Sequence, residues 1–148
     1  MKILHENKKA LFDYEVLEKF QAGLVLLGSE IKSIRLENVN LKGAYVGIFG
    51  GEAWLKNANI SRYKYDSREE YNPLRERKLL LKKKEIEKLA MKLNTQGVTL
   101  VPLAIGIEGR YAKLIIALAR GRKKHDKRQL IKERTTKREI QRAIRKRY

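Results

Sequence analysis

The last 29 residues most constrain what this chain can fold into. Residues 120–148 contain 14 Lys or Arg and three acidic residues, so this segment holds +11 of the net charge of +18. A segment with this charge density repels itself and offers little apolar surface to bury, so it does not form a core of its own. The packed part of the protein is therefore expected within residues 1–119.

The same basic segment nevertheless carries signals of a helix. Asp126 and Gln129 have the spacing of a capping box, and Ile140 and Ile144 lie one helical turn apart. The apolar stripe is thin, and isolated helices of this length are marginally stable in water. We expect residues 120–148 to be disordered in the free protein and helical when a polyanion neutralises them. The alternative is a basic tail that only aids solubility.

Composition excludes several protein classes. The absence of cysteine excludes disulfides, thiolate zinc sites and a cysteine nucleophile, and it fits a reducing cytoplasm. No apolar run approaches the roughly 20 residues that span a bilayer, and we expect no secretion signal and no membrane partner. The net charge of +18 indicates an anionic partner. Nucleic acid is favoured over a membrane surface, because the tail lacks a bulky apolar face.

The apolar pattern of the body predicts a mainly β fold. Residues 12–27 are expected to form one long strand with a bulge at Leu17, or two strands in succession. Gly50-Gly51 and Glu108-Gly109 each separate two strand-like runs and predict hairpins. Pro102 argues for an edge or bulged position in its strand. The hairpin runs are residues 45–49, 53–60, 99–107 and 111–118.

Helices and loops are expected to interrupt these strands. Ser29 is expected to cap a short helix, and residues 86–93 have the spacing of a second helix that Gly97 ends. Residues 1–9 are expected to form a loose arm and residues 61–77 a long exposed loop. Five or six such strands favour a small antiparallel barrel with two or three flanking helices and the basic tail.

No arrangement of side chains indicates an enzyme. His5 and His125 lie in segments that do not look rigid, whereas general acid–base catalysis needs fixed geometry. The two histidines also lack the spacing of a metal site, and the glycines lack the context of a phosphate loop. We expect no catalytic residue, metal or cofactor. His5 is expected to be solvated and His125 to stack on a base; an RNA-processing enzyme with His125 as general base is the alternative.

Two regions of the body combine basic and polar or aromatic side chains. The first is the outer face of the first helix, and the second is the long loop with its edges. Tyrosines among arginines suit stacking on exposed bases beside phosphate contacts; the alternative is a solvated loop with half-packed tyrosines. Trp54 is expected in the core. The helix residues are Lys32, Ser33 and Arg35, and the loop residues are Arg62, Tyr63, Tyr65, Arg68, Arg75, Arg77 and Lys78.

Sequence stretches along nearly the whole chain resemble the SsrA-binding protein family, also called small protein B. The order, spacing and number of these stretches make the resemblance specific. The stretches are Asn7-Lys8-Lys9-Ala10, Gln21-Ala22-Gly23, GSEIKSIR at 28–35, Trp54-Leu55, Asn59-Ile60, NPLRERKLLL at 72–81, LVPL at 100–103, ARGRKKHDKR at 119–128, IKER at 131–134 and KREIQR at 137–142.

The resemblance implies an oligonucleotide-binding (OB)-like barrel over residues 1–119 and a non-catalytic adaptor function. Such a protein binds the tRNA-like domain of transfer-messenger RNA (tmRNA) and delivers this RNA to stalled ribosomes in trans-translation. The tail, residues 120–148, would become helical in the decoding centre and message channel. The implied partners are tmRNA, small-subunit ribosomal RNA and, indirectly, elongation factor Tu. We expect a cytoplasmic monomer. A structural ribosomal protein or general RNA chaperone is the alternative.

Three groups of contact residues follow from the resemblance and from the two basic regions. Contacts to the tRNA-like domain are predicted for Asn7, Lys8, Gln21, Lys32, Ser33, Arg35, Tyr63, Arg75, Arg77, Lys78, Leu80 and Gly121. Contacts to the decoding centre are predicted for His125, Asp126, Lys127 and Arg128. Contacts in the message channel are predicted for Lys132, Arg134, Lys137, Arg138 and Arg142. The chain departs from the family pattern at Gln21, commonly Glu, and at Asn72, commonly Asp.

Overall fold

The computed structural model describes residues 1–67 and 70–147, with side chains of the final helix described as far as residue 143. The predicted loop residue Arg68 and the predicted helix side chain of Ile144 therefore lie outside the described residues. The described chain forms nine strands and four helices. In chain order these are β1 (Lys2–Glu6), α1 (Lys8–Asp13), β2 (Tyr14–Leu24), α2 (Gly28–Arg35), β3 (Val39–Asn40), β4 (Tyr45–Phe49), β5 (Glu52–Lys56), β6 (Asn59–Ile60), β7 (Arg77–Leu80), α3 (Lys83–Lys92), β8 (Val98–Glu108), β9 (Tyr111–Gly121) and α4 (Lys124–Arg147).

The strands confirm a mainly β, antiparallel body. Seven of them form one sheet in the order β1-β8-β4-β5-β7-β2-β9, and β8 also pairs with β9. The hydrogen-bonded ladder that starts at β8 and passes through β4, β5, β7, β2 and β9 therefore returns to β8. The short strands β3 and β6 form a separate antiparallel pair.

The predicted bulges and hairpins are confirmed. The register of β2 against β9 shifts between Val16 and Glu18, which places the bulge at Leu17. The register of β8 against β9 shifts directly after Pro102, so the proline lies at an irregularity of the ladder. Gly50 and Gly51 have φ angles of 59° and 75°, the positive values that a two-residue hairpin turn requires. The second turn comes one residue later than predicted, because Glu108 still pairs with Tyr111.

The expectation of a loose N-terminal arm was wrong. Residues Lys2–Glu6 form β1, which pairs with the second half of β8, and α1 follows. Asn7 joins the two elements, because its Oδ1 accepts the Ala10 N–H at 3.2 Å. Its Nδ2 donates to the carbonyls of Leu41 and Pro102 at 3.1 and 2.9 Å. The arm is ordered by long-range pairing that local composition does not reveal.

Three local expectations also need correction. The predicted strand over residues 53–60 ends at Lys56, because Asn57 adopts a left-handed φ of 63°. Ser29 does not cap α2, which begins one residue earlier at Gly28. Trp54 is partly buried on the outer face of β5 rather than in the core, since Ala53 and Leu55 on either side take the inward positions of β5.

The core lies between the inward faces of the strands, and a smaller cluster lies beneath α1. The main cluster also receives Ile34 from α2 and Leu89 from α3. The larger core residues include Leu41, Leu55, Ile60, Leu79, Leu100, Ile105, Leu114, Ile116 and Leu118. The cluster beneath α1 contains Ala10, Val101, Leu103, Ala117 and Ala119. The strands are thereby covered on both faces where α1 lies.

The basic segment forms one 24-residue helix, α4, directly after β9. The predicted capping box at Asp126 was wrong. The helix begins at Lys124, and the Asp126 carboxylate in its first turn accepts the N–H of Lys123 at 3.4 Å. An acidic group at this end also suits the helix dipole. Within the described residues, no helix is both long enough and apolar enough to cross a membrane.

Candidate RNA-binding surface

A buried ion cluster holds α2, β7 and the long loop together. At its centre the Glu30 carboxylate accepts two hydrogen bonds from Arg77, at 2.9 Å from Nε and 2.7 Å from Nη2. The Arg75 guanidinium also donates to Glu30. The side chains of Glu30 and Arg77 are both fully buried. Charges at this depth are stable only when paired and fully hydrogen-bonded.

Arg77 and Tyr71 also bind backbone carbonyls near both ends of the loop. Arg77 Nη1 donates to the Ala58 carbonyl at 2.7 Å, and Nη2 donates to the Pro73 carbonyl at 3.0 Å. The Tyr71 hydroxyl lies 2.8 Å from the Ile60 carbonyl and 3.1 Å from the Glu30 carboxylate. The cluster therefore fixes both ends of the loop to the body.

Burial and hydrogen bonding act against each other on the pKa of Glu30. Burial alone would raise it, but the hydrogen bonds from Arg75, from the Leu27 N–H and from Arg77 outweigh burial and lower the pKa below its ordinary value. Burial, followed by the adjacent Glu30 charge, raises the pKa of Tyr71 to about 12. Glu30 is thus ionised and Tyr71 is neutral at physiological pH.

Three residues predicted to contact RNA are buried. Asn7 caps α1, Arg77 lies in the ion cluster, and Ser33 Oγ donates to the Ser61 carbonyl at 2.6 Å. Their exposed fractions are 4%, 0% and 1%, so in this conformation they support the surface rather than form it. Arg75 is intermediate, because its side chain is 37% exposed while its Nη2 pairs with Glu30.

The basic outer face of α2 and the tyrosines of the loop come together. Lys32 Nζ lies 5.3 Å from the centre of the Tyr63 ring, and the Tyr63 and Tyr65 rings meet edge to face at 5.6 Å. Arg35 is exposed on the same helix, and Tyr65 is 75% exposed. This arrangement offers cations beside accessible rings, which suits phosphate and base contacts at one place.

A second group of predicted residues lies where β2 meets β7. Gly23 pairs with Leu80, whose side chain is 55% exposed, and Lys78 lies two residues before Leu80 on the same strand face. Gln21 Nε2 donates to the Glu108 carboxylate at 3.3 Å. This chain has Gln at position 21, where the family commonly has Glu. The carboxylate next to this position is that of Glu108, in the β8–β9 hairpin. Lys8, at the start of α1, and Gly121, at the end of β9, are exposed.

The root of α4 is attached to α1. Lys127 Nζ forms an ion pair with Asp13 at 3.0 Å, and the cations of Lys127 and Arg134 each lie 5.8 Å from the Phe12 ring centre. The Arg122 N–H donates to the Asp13 carbonyl at 2.8 Å. These contacts fix the direction in which the tail helix leaves the body. Of the predicted decoding-centre residues, Lys127 has a partner in the body, and His125, Asp126 and Arg128 are exposed.

The predicted message-channel residues lie on the exposed part of α4. The hydroxyls of Thr135 and Thr136 donate to the carbonyls of Ile131 and Lys132, each at 3.0 Å. Such bonds back to the helix itself do little to stabilise it. All the predicted channel cations are exposed, namely Lys132, Arg134, Lys137, Arg138 and Arg142.

The sequence reasoning missed Glu30 and Tyr71. One available signal was the spacing of Glu30 from Ile34, since residues four apart share a helix face and an apolar residue such as Ile34 marks the inward face. The partner of Glu30 could not be deduced, because Arg77 lies 47 residues away. His5 was wrongly expected to be solvated, since its Nε2 accepts the Leu41 N–H at 3.3 Å.

The described residues show no metal centre. Across residues 1–67 and 70–147, no three His, Asp or Glu side chains are grouped so that they could hold a metal ion. What the geometry offers is an exposed basic and aromatic surface held by a buried ion cluster, with a cationic helix directed away from the body.

Comparisons with known proteins agree with this geometry. The family model described as SmpB protein matches residues 4–146. An SsrA-binding protein of Thermosynechococcus vestitus is 50% identical over 99% of this chain and 97% of its own length. One of Bacillus cereus is 50% identical over 99% of this chain and 94% of its own length. A solved chain from a study of tmRNA and SmpB in the bacterial ribosome superposes with a TM-score of 0.69 and 43% identity, covering 81% of this chain and 85% of that chain. This chain belongs to the SmpB protein family.

Proposed function

We propose that this protein binds the tRNA-like domain of tmRNA and delivers this RNA to stalled ribosomes in trans-translation, without catalysing a reaction itself. The observation that supports the proposal most is the 50% identity to SsrA-binding proteins over 99% of the chain. The solved relative is described together with tmRNA and the bacterial ribosome. The protein acts in the cytoplasm as a monomer, and elongation factor Tu is an indirect partner.

The body, residues 1–119, acts as an OB-like barrel. Support for this view comes from the ladder β8-β4-β5-β7-β2-β9, which returns to β8. A closed ladder gives a stiff frame without long free edges. Folded RNA is recognised mainly by its shape and by bases in its loops, and a stiff frame presents a fixed surface to both.

The exposed predicted residues form the contact surface in this proposal. Most of them lie around the α2 face and the β2–β7 junction, where the buried Ser33 and Arg77 hold the backbone. Lys8 and Gly121 lie towards the other end of β2, where Gly121 pairs with Tyr14 and Asn7 caps α1. The cations bind phosphates, while Leu80 and Gln21 act through apolar contact and hydrogen bonding. The exposed members are Lys8, Gln21, Lys32, Arg35, Leu80 and Gly121, and the partly buried members are Tyr63, Arg75 and Lys78.

The tail acts on the ribosome. His125, Asp126, Lys127 and Arg128 contact the decoding centre, and the cations from Lys132 to Arg142 follow the phosphates of the message channel. In the free protein the outer part of this helix is disordered in solution, because residues 135–143 are all exposed and a thin apolar stripe gives little packing. Phosphates of the channel neutralise its charge and favour the helix.

A competition assay tests the proposal. The full chain is titrated with labelled tRNA-like domain at physiological salt against unlabelled tmRNA, tRNA and an unrelated folded RNA. We expect tmRNA to compete best. Equal competition by all the RNAs would support a general RNA chaperone and contradict the proposal.

A truncated chain separates the two surfaces. Residues 1–128 should bind the tRNA-like domain nearly as well as the full chain does, but they should not support peptide tagging on stalled ribosomes. Loss of binding to the tRNA-like domain on truncation would contradict the division into body and tail.

A further inference from the structure

The outer face of β4, β5 and β7 carries three aromatic side chains that the predicted contact residues do not include. Gly47 on β4 pairs with Trp54 on β5, and Trp54 pairs with Lys78 on β7, so these residues lie side by side. Residues two apart on a strand share its face, so Tyr45 and Phe49 lie on the same side of β4 as Gly47. We call this surface the aromatic face.

Two rings of the aromatic face are exposed and the third is partly buried. Tyr45 and Phe49 are 46% and 54% exposed, whereas Trp54 is partly buried. The Phe49 ring lies over Gly47, where a Cβ atom would come within 2.4 Å of the ring. The glycine therefore leaves room for the ring against the strand, and Lys56 Nζ lies 4.0 Å from the ring centre.

The charges on the aromatic face are already paired. Lys78 forms an ion pair with Glu52 at 3.0 Å, and Lys56 forms one with Glu76 at 3.3 Å. In a chain with a net charge of +18, this face is locally balanced. A partner held here gains more from contact with the rings than from charge attraction.

The aromatic face is continuous with the proposed RNA surface. Lys78 belongs to both, and Leu80 follows on the same face of β7 and pairs with Gly23 of β2. An RNA that contacts Gln21, Leu80 and Lys78 therefore extends directly over Trp54 towards Phe49. Accessible rings beside an RNA contact are stacking sites for unpaired bases, because every base has a π-face.

We propose that the aromatic face is a stacking platform for unpaired loop bases of the bound RNA. The inference rests on the proposed function, and it adds Tyr45, Phe49 and Trp54 to the contacts with the RNA. It also assigns these contacts an energy that depends little on salt, because stacking of a base on a ring involves no phosphate contact and releases no counterions.

The fluorescence of Trp54 reports directly on contacts with the aromatic face, because Trp54 is the only tryptophan in the chain. The full chain is titrated with unlabelled tRNA-like domain of tmRNA while tryptophan emission is recorded, and affinity is measured separately with labelled RNA. Stacking near the indole is expected to quench emission, with a midpoint that matches the binding midpoint. A blunt RNA duplex of equal length has no unpaired bases to stack, so it should bind by charge without quenching.

Phe49→Leu tests the ring itself, because leucine keeps an apolar side chain and removes the π-face. We expect the affinity for the tRNA-like domain to fall about five- to tenfold, with an unchanged slope against the logarithm of salt concentration. Tyr45→Leu, a second exposed position, should weaken binding in the same way. The control Met91→Ala removes an exposed apolar side chain of α3 and should leave affinity unchanged.

The outcomes separate this inference from the proposed function. Two results together would overturn the inference and leave the proposed function intact. The first is that Phe49→Leu binds the RNA with the affinity of the parent chain. The second is that the Trp54 emission of the parent chain does not change when the RNA binds. The same two results are expected if the face serves to dock a protein. Equal quenching by the duplex would also overturn the inference. Failure of the parent chain to bind the tRNA-like domain would contradict the proposed function, and the inference with it.

Discussion

Replacing Glu30 with Gln tests most sharply how the proposed RNA surface is held. The Glu30 carboxylate accepts five hydrogen bonds, from Leu27, Tyr71, Arg75 and twice from Arg77. Glutamine has nearly the same shape but removes the charge, and its NH₂ group is a donor that faces other donors. The fully buried Arg77 guanidinium would then lose its carboxylate partner.

The expected loss of stability is large. Removing one partner of a buried ion pair typically costs about 3–5 kcal/mol, because the other charge stays buried. The total stability of a domain of this size is about 5–15 kcal/mol. Glu30→Gln should therefore remove a large share of the free energy of unfolding, and it should loosen the loop that carries Tyr63.

Urea denaturation followed by circular dichroism measures this loss. The matched control is Glu18→Gln, since Glu18 also binds two cations, Lys88 and Lys92, but at the surface. Solvent screens such exposed pairs, so the control should unfold at nearly the parent midpoint. A loss below about 1 kcal/mol for Glu30→Gln would refute the reasoning that this cluster holds the surface. The double variant Glu30→Gln/Arg77→Met, which removes both charges, should be less destabilised than Glu30→Gln alone.

The same carboxylate gives stability a defined dependence on pH. The pKa of Glu30 is lowered in the folded protein from an ordinary value of 4.5. Its contribution is therefore fully present above the unfolded pKa and is lost as the pH falls through the folded pKa. The parent chain should lose stability in acid below about pH 4.5 more steeply than Glu30→Gln does, because the variant has no proton to bind at this position.

Three further predictions test other parts of the structure. Asp13→Lys breaks the 3.0 Å ion pair with Lys127 and replaces it by repulsion, so amide hydrogen exchange in the first turns of α4 should accelerate while the unfolding midpoint of the body stays nearly constant. Gly106→Ala would place a Cβ atom 2.2 Å from the Lys2 carbonyl oxygen, so β1 should separate from β8 and the chain should lose about 1–3 kcal/mol of stability in urea. Leu80→Ala should weaken binding of the tRNA-like domain without changing its salt slope, and a flatter slope would contradict an apolar contact.

Local signals in the sequence were sufficient for the hairpins and bulges. Gly50-Gly51 needs positive φ at both positions, which only a few residue types adopt readily, and the interrupted alternation at Leu17 marks an extra residue directly. The outward position of Trp54 could also have been predicted from the sequence, because strict alternation along β5 places its neighbours Ala53 and Leu55 inward. The expectation of a core position rested on the strand pattern alone and did not use the register of Trp54 within the strand.

Long-range contacts could not be predicted from the sequence alone. β1 is a short strand with polar ends, and it is ordered by pairing with β8 about 100 residues later. Arg77 occurs among other arginines in a segment whose composition is typical of an exposed loop. Its burial depends on the ion pair with Glu30 of α2. The basic and aromatic composition indicated an RNA surface, but it could not separate the cations that form this surface from those that support it.

The tail combines a fixed root with an unsupported end. Asp13, Phe12 and the backbone beside them hold Lys127 and Arg122, so the first turns of α4 have a set direction. Residues 135–143 are all exposed, and most helical stability in proteins comes from packing. In the proposed function, a groove lined with phosphates supplies the opposite charge that favours the helix at this far end. The attached first turns would then direct the cationic end towards such a groove in one orientation relative to the RNA bound by the body.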